Sequence, residues 1–179
     1  MVASRKLWLV GAALALSSAA VIAHSVTASH KVTMCVVAAA VLELNDANPV
    51  TLTVSVPAIG GTPPTGQKNE TKRLWYSAVT KAGVSRKVSV SMTGSAPAGT
   101  SLNVEAISVE AGAGICVEGG VTISGIDHNI ITLIPSCATG RLANSGAALR
   151  YSLNVVSPSS LVVGTRTTVT VSYTLTDDG

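Results

Sequence analysis

The sequence predicts an all-β fold: a single antiparallel β-sandwich of eight or nine strands, with a barrel as the runner-up. Three observations predict it. Apolar residues alternate with Ser, Thr, Asn or charged residues through one segment after another, the period of a half-buried strand. Gly, Pro, Asn and Asp clusters separate these segments by short intervals. Past residue 25 no segment carries the 3.6-residue period of an amphipathic helix.

Taken in order, the first strand candidate is the apolar run Lys31 to Leu44. Val50 to Val56 follows, with Val50, Leu52, Val54 and Val56 on one face. Residues 56–71 (VPAIGGTPPTGQKNET) are the one long irregular connection, read as a surface loop from their Gly, Pro and polar content. Arg73 to Val79 is the next strand, and Arg86 to Met92 alternates through Val88, Val90 and Met92. In Ser101 to Glu110 the inward phase passes from Leu102, Val104 and Ala106 to Ile107 and Val109, which predicts a bulge near Ala106. Gly120 to Ile126, Asn129 to Ile134 and Ala147 to Val156 come next, the last with Leu149, Tyr151, Leu153 and Val155 inward. The final strand, in RTTVTVSYTLTDDG, sets Val169, Val171, Tyr173 and Leu175 against a hydroxylated face of Thr168, Thr170, Ser172 and Thr174. It is expected to be part of the folding core. With no Phe and 3% aromatic residues, that core must be Val, Leu, Ile and Ala.

The N-terminus has a basic start at Arg5 and Lys6, an apolar Ala/Ser-rich run from Leu7, and small residues at Ala23, Ser25 and Ala28. This is the pattern of a secretory signal peptide over residues 1–25, cleaved somewhere in 23–28, with a membrane anchor as the competing reading. The chain is therefore expected at the cell surface, in the periplasm or outside the cell, with no membrane span after cleavage. Residues 26–179 then make one domain, long enough for its own core. Removing Arg5 and Lys6 from 12 Lys+Arg leaves 10 against 9 Asp+Glu, so the mature chain is close to neutral. Such a surface does not suit nucleic acid, which demands clustered cations.

An exported compartment favours pairing among Cys35, Cys116 and Cys137. Cys116 with Cys137 is the preferred disulfide, because both stand beside Gly or Pro and close a loop worth about 3 kcal/mol in the chain-entropy picture. Cys35 with Cys137 is the alternative.

Chemistry is scarce. No nucleophile elbow, zinc-binding His pair or partnered Ser occurs, and an enzyme, a metal site and a cofactor are not expected. Asp177 and Asp178 are adjacent carboxylates without further oxygen ligands, a weak calcium signal. His128 in an Asp/Asn turn reads as structural. The candidate contact surface is basic: Lys68, Lys72, Arg73, Arg86 and Lys87 with Trp75 and Tyr76 among them. It would suit a glycan or anionic surface polymer, or else its charges blunt a sheet edge. Trp75 is read as a core anchor, and Tyr76 must then face the other way.

The segments YSAV, RKVSVSM, PAGTSLNVEA, SCATG, GAALRYSLNV and TTVTVSYTLTD together resemble a loose group of exported bacterial β-sandwich proteins of the cell surface, and more distantly pilin-like fibre subunits. The resemblance implies a structural or adhesive role, through self-association or other envelope proteins, and carries over no catalytic residue. Chaperone-assembled pilins have a paired cysteine couple and a donor-strand extension. This chain has three cysteines and a candidate extension at Lys31 to Leu44, which leaves strand donation open.

Overall fold

A computed structural model describes residues 29–178, so the signal segment and its cleavage window lie outside the described residues. The chain divides into a unit ending at Cys35 and a unit beginning at Val36, and the β fold belongs to the second. It is all-β and antiparallel, with two sheets packed face to face and not closed into a barrel.

Among the described residues thirteen strands succeed one another: β1 (Ala39–Leu44), β2 (Val54–Ser55), β3 (Thr65–Gly66), β4 (Lys68–Asn69), β5 (Arg73–Val79), β6 (Arg86–Thr93), β7 (Thr100–Ser108), β8 (Ile115–Cys116), β9 (Val121–Thr122), β10 (His128–Ile134), β11 (Cys137–Ala138), β12 (Ala147–Val155) and β13 (Thr170–Asp177). Six of these are two-residue pairings, so the long strands are fewer than the eight or nine expected. The larger sheet runs β1-β5-β12-β7-β9, with β11 also on β5 and β4 also on β12. The smaller runs β13-β6-β10-β8. A separate pair, β2 with β3, carries the long connection at its tip.

Alternation does the packing. From β5 come Leu74, Tyr76 and Ala78, from β6 Val88, Val90 and Met92, and from β12 Leu149, Tyr151 and Leu153, all buried between the sheets. The bulge expected near Ala106 is present. Ala148 pairs with Ser108 and Leu149 with Ala106, which leaves Ile107 as the extra residue. In β10 two register shifts let Ile130 and Ile131, adjacent in sequence, both be buried, and Leu133 takes a φ of 53° there.

The two lateral sides of the sandwich differ. On one side the chain passes between sheets three times, from β7 to β8, β8 to β9 and β9 to β10. That side is stitched. On the other, edge strand β1 of the larger sheet faces edge strand β13 of the smaller, and among the described residues no connection crosses between them. Among the described residues the final strand is thus an edge, paired with β6 alone, and Val169, Val171, Tyr173 and Leu175 are only half-buried. Their phase is as expected. Their full burial is not, because a strand on the outer margin has neighbours on one side only.

Candidate functional site: an open seam between two strand edges

The seam is built from two short alternating sequences. AAVLEL in β1 turns Leu42 and Leu44 toward the core, and TVSYTLTD in β13 turns Val171, Tyr173 and Leu175 the same way. Both rows stop half-covered. A shallow depression lies between them, lined by Leu42, Glu43, Leu44, Leu74, Val171 and Tyr173. Among the described residues β1 pairs only with β5 and β13 only with β6, so each presents a row of backbone N–H and C=O groups along the seam that none of these residues pairs.

One polar contact spans the sheets inside it. The hydroxyls of Tyr151 on β12 and Tyr173 on β13 lie 2.6 Å apart. Burial pushes both phenols above their ordinary value, and the two hydroxyls share a hydrogen bond. At the seam's far end Arg86 meets Asp177 at 3.4 Å and Lys87 meets Asp178 at 3.7 Å. Asp178 also accepts the Leu133 N–H at 3.2 Å. The two terminal carboxylates are thus engaged by cations and backbone, and among the described residues no cluster of His, Cys, Asp or Glu is arranged to hold a metal ion.

The basic candidates are dispersed. Lys68, Lys72 and Arg73 belong to the larger sheet's strands or their junction, and Arg86 and Lys87 to β6 of the smaller. Lys72 is buried and paired with Asp46, whose carboxyl it holds below the usual range. The Arg73 guanidinium donates to the Asn144 carbonyl at 3.0 Å, while Lys68 is exposed. Trp75 is half-exposed on the outer face of β5 rather than in the core, its indole N–H donating to the Ser145 carbonyl at 3.2 Å with the Arg141 guanidinium 5.4 Å from its ring. Tyr76 takes the core place. The reason is collective: Leu74, Tyr76 and Ala78 share a phase, whereas Trp75 shares one with Arg73 and Ser77, and a strand turns all of one phase inward together.

The expected Cys116–Cys137 disulfide is not formed, nor is Cys35–Cys137: all three cysteines are free. Cys116 stands on β8 of the smaller sheet and Cys137 on β11 of the larger, so bonding would have to bridge the sandwich. Burial raises both thiols, and both lie near the Tyr76 phenol, whose O–H donates to the Ala113 carbonyl at 2.6 Å.

Compared with family models, with curated proteins and with solved structures, the chain has no match. The seam residues Leu42 and Leu44 were not among those singled out from sequence. The signal that points to them is the even-numbered apolar phase Val32, Met34, Val36, Ala38, Ala40, Leu42 and Leu44, which runs without interruption into β1.

Proposed function

We propose that this protein is an exported, non-enzymatic structural subunit of the cell surface that assembles into a fibre or matrix by accepting a strand into its seam. The observation that carries the reading is the seam itself: two facing, unpaired strand edges whose apolar rows are half-covered. An added strand would complete the β13 ladder, extending the smaller sheet, and cover the half-buried rows beside it, the mode of β-strand addition. The segment that supplies it is Lys31 to Val37 of another copy. Val32, Met34 and Val36 are 65%, 88% and 85% exposed and alternate with the period the seam requires. Secretion rests on the signal-like N-terminus. Dispersal and pairing of Lys72, Arg73, Arg86 and Lys87 make a glycan- or polymer-binding face the weaker alternative, since an electrostatic footprint needs its cations together.

Electron microscopy and size-exclusion of the purified mature chain over rising concentration test this. Ordered polymers are expected, and Val171→Lys, which sets a charge in the seam, should suppress them. A strictly monomeric product at every concentration would refute the proposal.

A further inference from the structure

One pole of the sandwich is apolar out of proportion to the rest. Four connections end there: the tip 56–64, the turn 94–99, the stretch 123–127 and the long return 156–169. Their shared position follows from the ladders, since β12 leaves at Val155 beside β3, Thr93 opposes Thr170, and the Met92 N–H donates to the Ser124 carbonyl at 2.7 Å. Val56, Ile59, Ile126, Val156, Val162 and Val163 are between 65% and 103% exposed on them. Asp127 and Arg166 are the only charged residues in the four stretches. Val163 stands furthest out, in the Val162–Thr165 turn closed by the Thr165 N–H to the Val162 carbonyl, with Gly164 at a φ of 82°. Exposed aliphatic groups gathered on separate loops mark a contact surface.

The opposite pole carries a complementary feature. A small depression there is lined by Ala38, Thr80, Lys81, Val84, Arg86 and Asp177. Val84 is 41% exposed, and the buried Arg86 Nε has no hydrogen-bond partner.

We infer that the apolar pole of one copy packs against the opposite pole of the next, with Val163 seated in the depression by Val84. The inference rests on the strand-accepting reading of the seam, and chain length drives it. The donated strand extends the smaller sheet at β13, all of whose pairings are antiparallel, and β13 runs from the apolar pole, at Thr170, to the opposite pole, at Asp177. A donated strand antiparallel to β13 therefore ends at the acceptor's apolar pole. Its next residues, Ala38 and Ala39, already belong to the donor's own opposite pole, where Ala39 pairs with Val79. Two residues reach about 7 Å at full extension. That span leaves no room for the two poles to stand apart, so the exposed valines and isoleucines of the acceptor meet the donor's 80–86 turn.

The test uses the mature chain with the photo-cross-linker p-benzoylphenylalanine placed at position 163, and in a second preparation at position 34, each mixed with an isotope-labelled unsubstituted copy. Mass spectrometry then reads links between copies. The expected result is linkage of position 163 to peptide 80–86 of the other copy, and of position 34 to peptide 169–175. Linkage from 34 without linkage from 163 to 80–86 would overturn the pole contact and leave strand addition standing. Linkage from 163 without linkage from 34 would support the pole contact and overturn the seam reading. Links from 163 to the 156–169 peptide of the other copy in place of 80–86, or no links between copies at all, would overturn the inference.

Discussion

Val90→Thr and Val171→Thr change shape hardly at all and differ only in where the new hydroxyl falls, which makes the pair a direct gauge of how closed the sandwich is. Val90 is 0% exposed, on β6, with Tyr173 opposite it on one side and His128 on the other. A hydroxyl there has no water to reach, and burying one unpaired costs about 1–3 kcal/mol. Val171 is half-exposed at the seam, so its hydroxyl stays hydrated. The cost should fall to the range of surface changes, within about 0.5 kcal/mol. Urea unfolding reads both. With a slope of about 1–3 kcal/mol per molar, Val90→Thr should lower the midpoint by roughly 1 M while Val171→Thr barely moves it, the slope being unchanged in each. Equal losses from the two variants would mean that β13 is sealed into the core, and the open seam would be wrong.

Gly146 has a φ of 83°, and a β-carbon there would stand 2.2 Å from the Leu74 carbonyl oxygen. Gly146→Ala should therefore cost about 1–3 kcal/mol by thermal unfolding, whereas Gly83→Ala, with open space around it, should cost less. The Asp46 carboxyl is held below its ordinary value of 3.8 by Lys72. A depressed carboxyl contributes stability above that value and loses it as pH falls through the folded pKa, so acid titration of stability should show a component that Asp46→Asn removes. Iodoacetamide should alkylate exposed Cys35 well before half-buried Cys116 and Cys137, and a Cys116–Cys137 linked peptide from unreduced protein would contradict the free thiols.

Strand phases were legible because they depend on local alternation: Leu149, Tyr151 and Leu153 turn inward as read, and the bulge beside Ala106 announced itself by a change of phase. What alternation does not carry is lateral position. Val90 and Val171 look alike in sequence, and only the order β13-β6-β10-β8 makes one central and the other marginal. Trp75 shows a second limit. Its size argued for the core, but its phase tied it to Arg73 and Ser77, and the phase of a whole strand outweighs one large side chain. The basic residues were close in sequence and ended on two sheets, because the 80–85 turn between β5 and β6 carries the chain from one to the other. The seam needed the pairing of both edges to be known, and no residue type marks an edge that stays open.

The central claim is that the seam takes a strand, and the direct measurement is hydrogen exchange on β13 and β1 with and without a synthetic peptide of residues 31–38. If the peptide pairs with the seam, backbone amides of β13 that face away from β6 should gain protection, and at a peptide concentration of 100 times its Kd the fold should gain about 2.7 kcal/mol. At about 2–4 °C per kcal/mol for a domain of this size, that is a rise in Tm of about 5–11 °C. A peptide of the same composition in scrambled order, with its alternation destroyed, should do neither. Unchanged exchange in β13 and an unchanged Tm with the native-order peptide at saturating concentration would contradict the account.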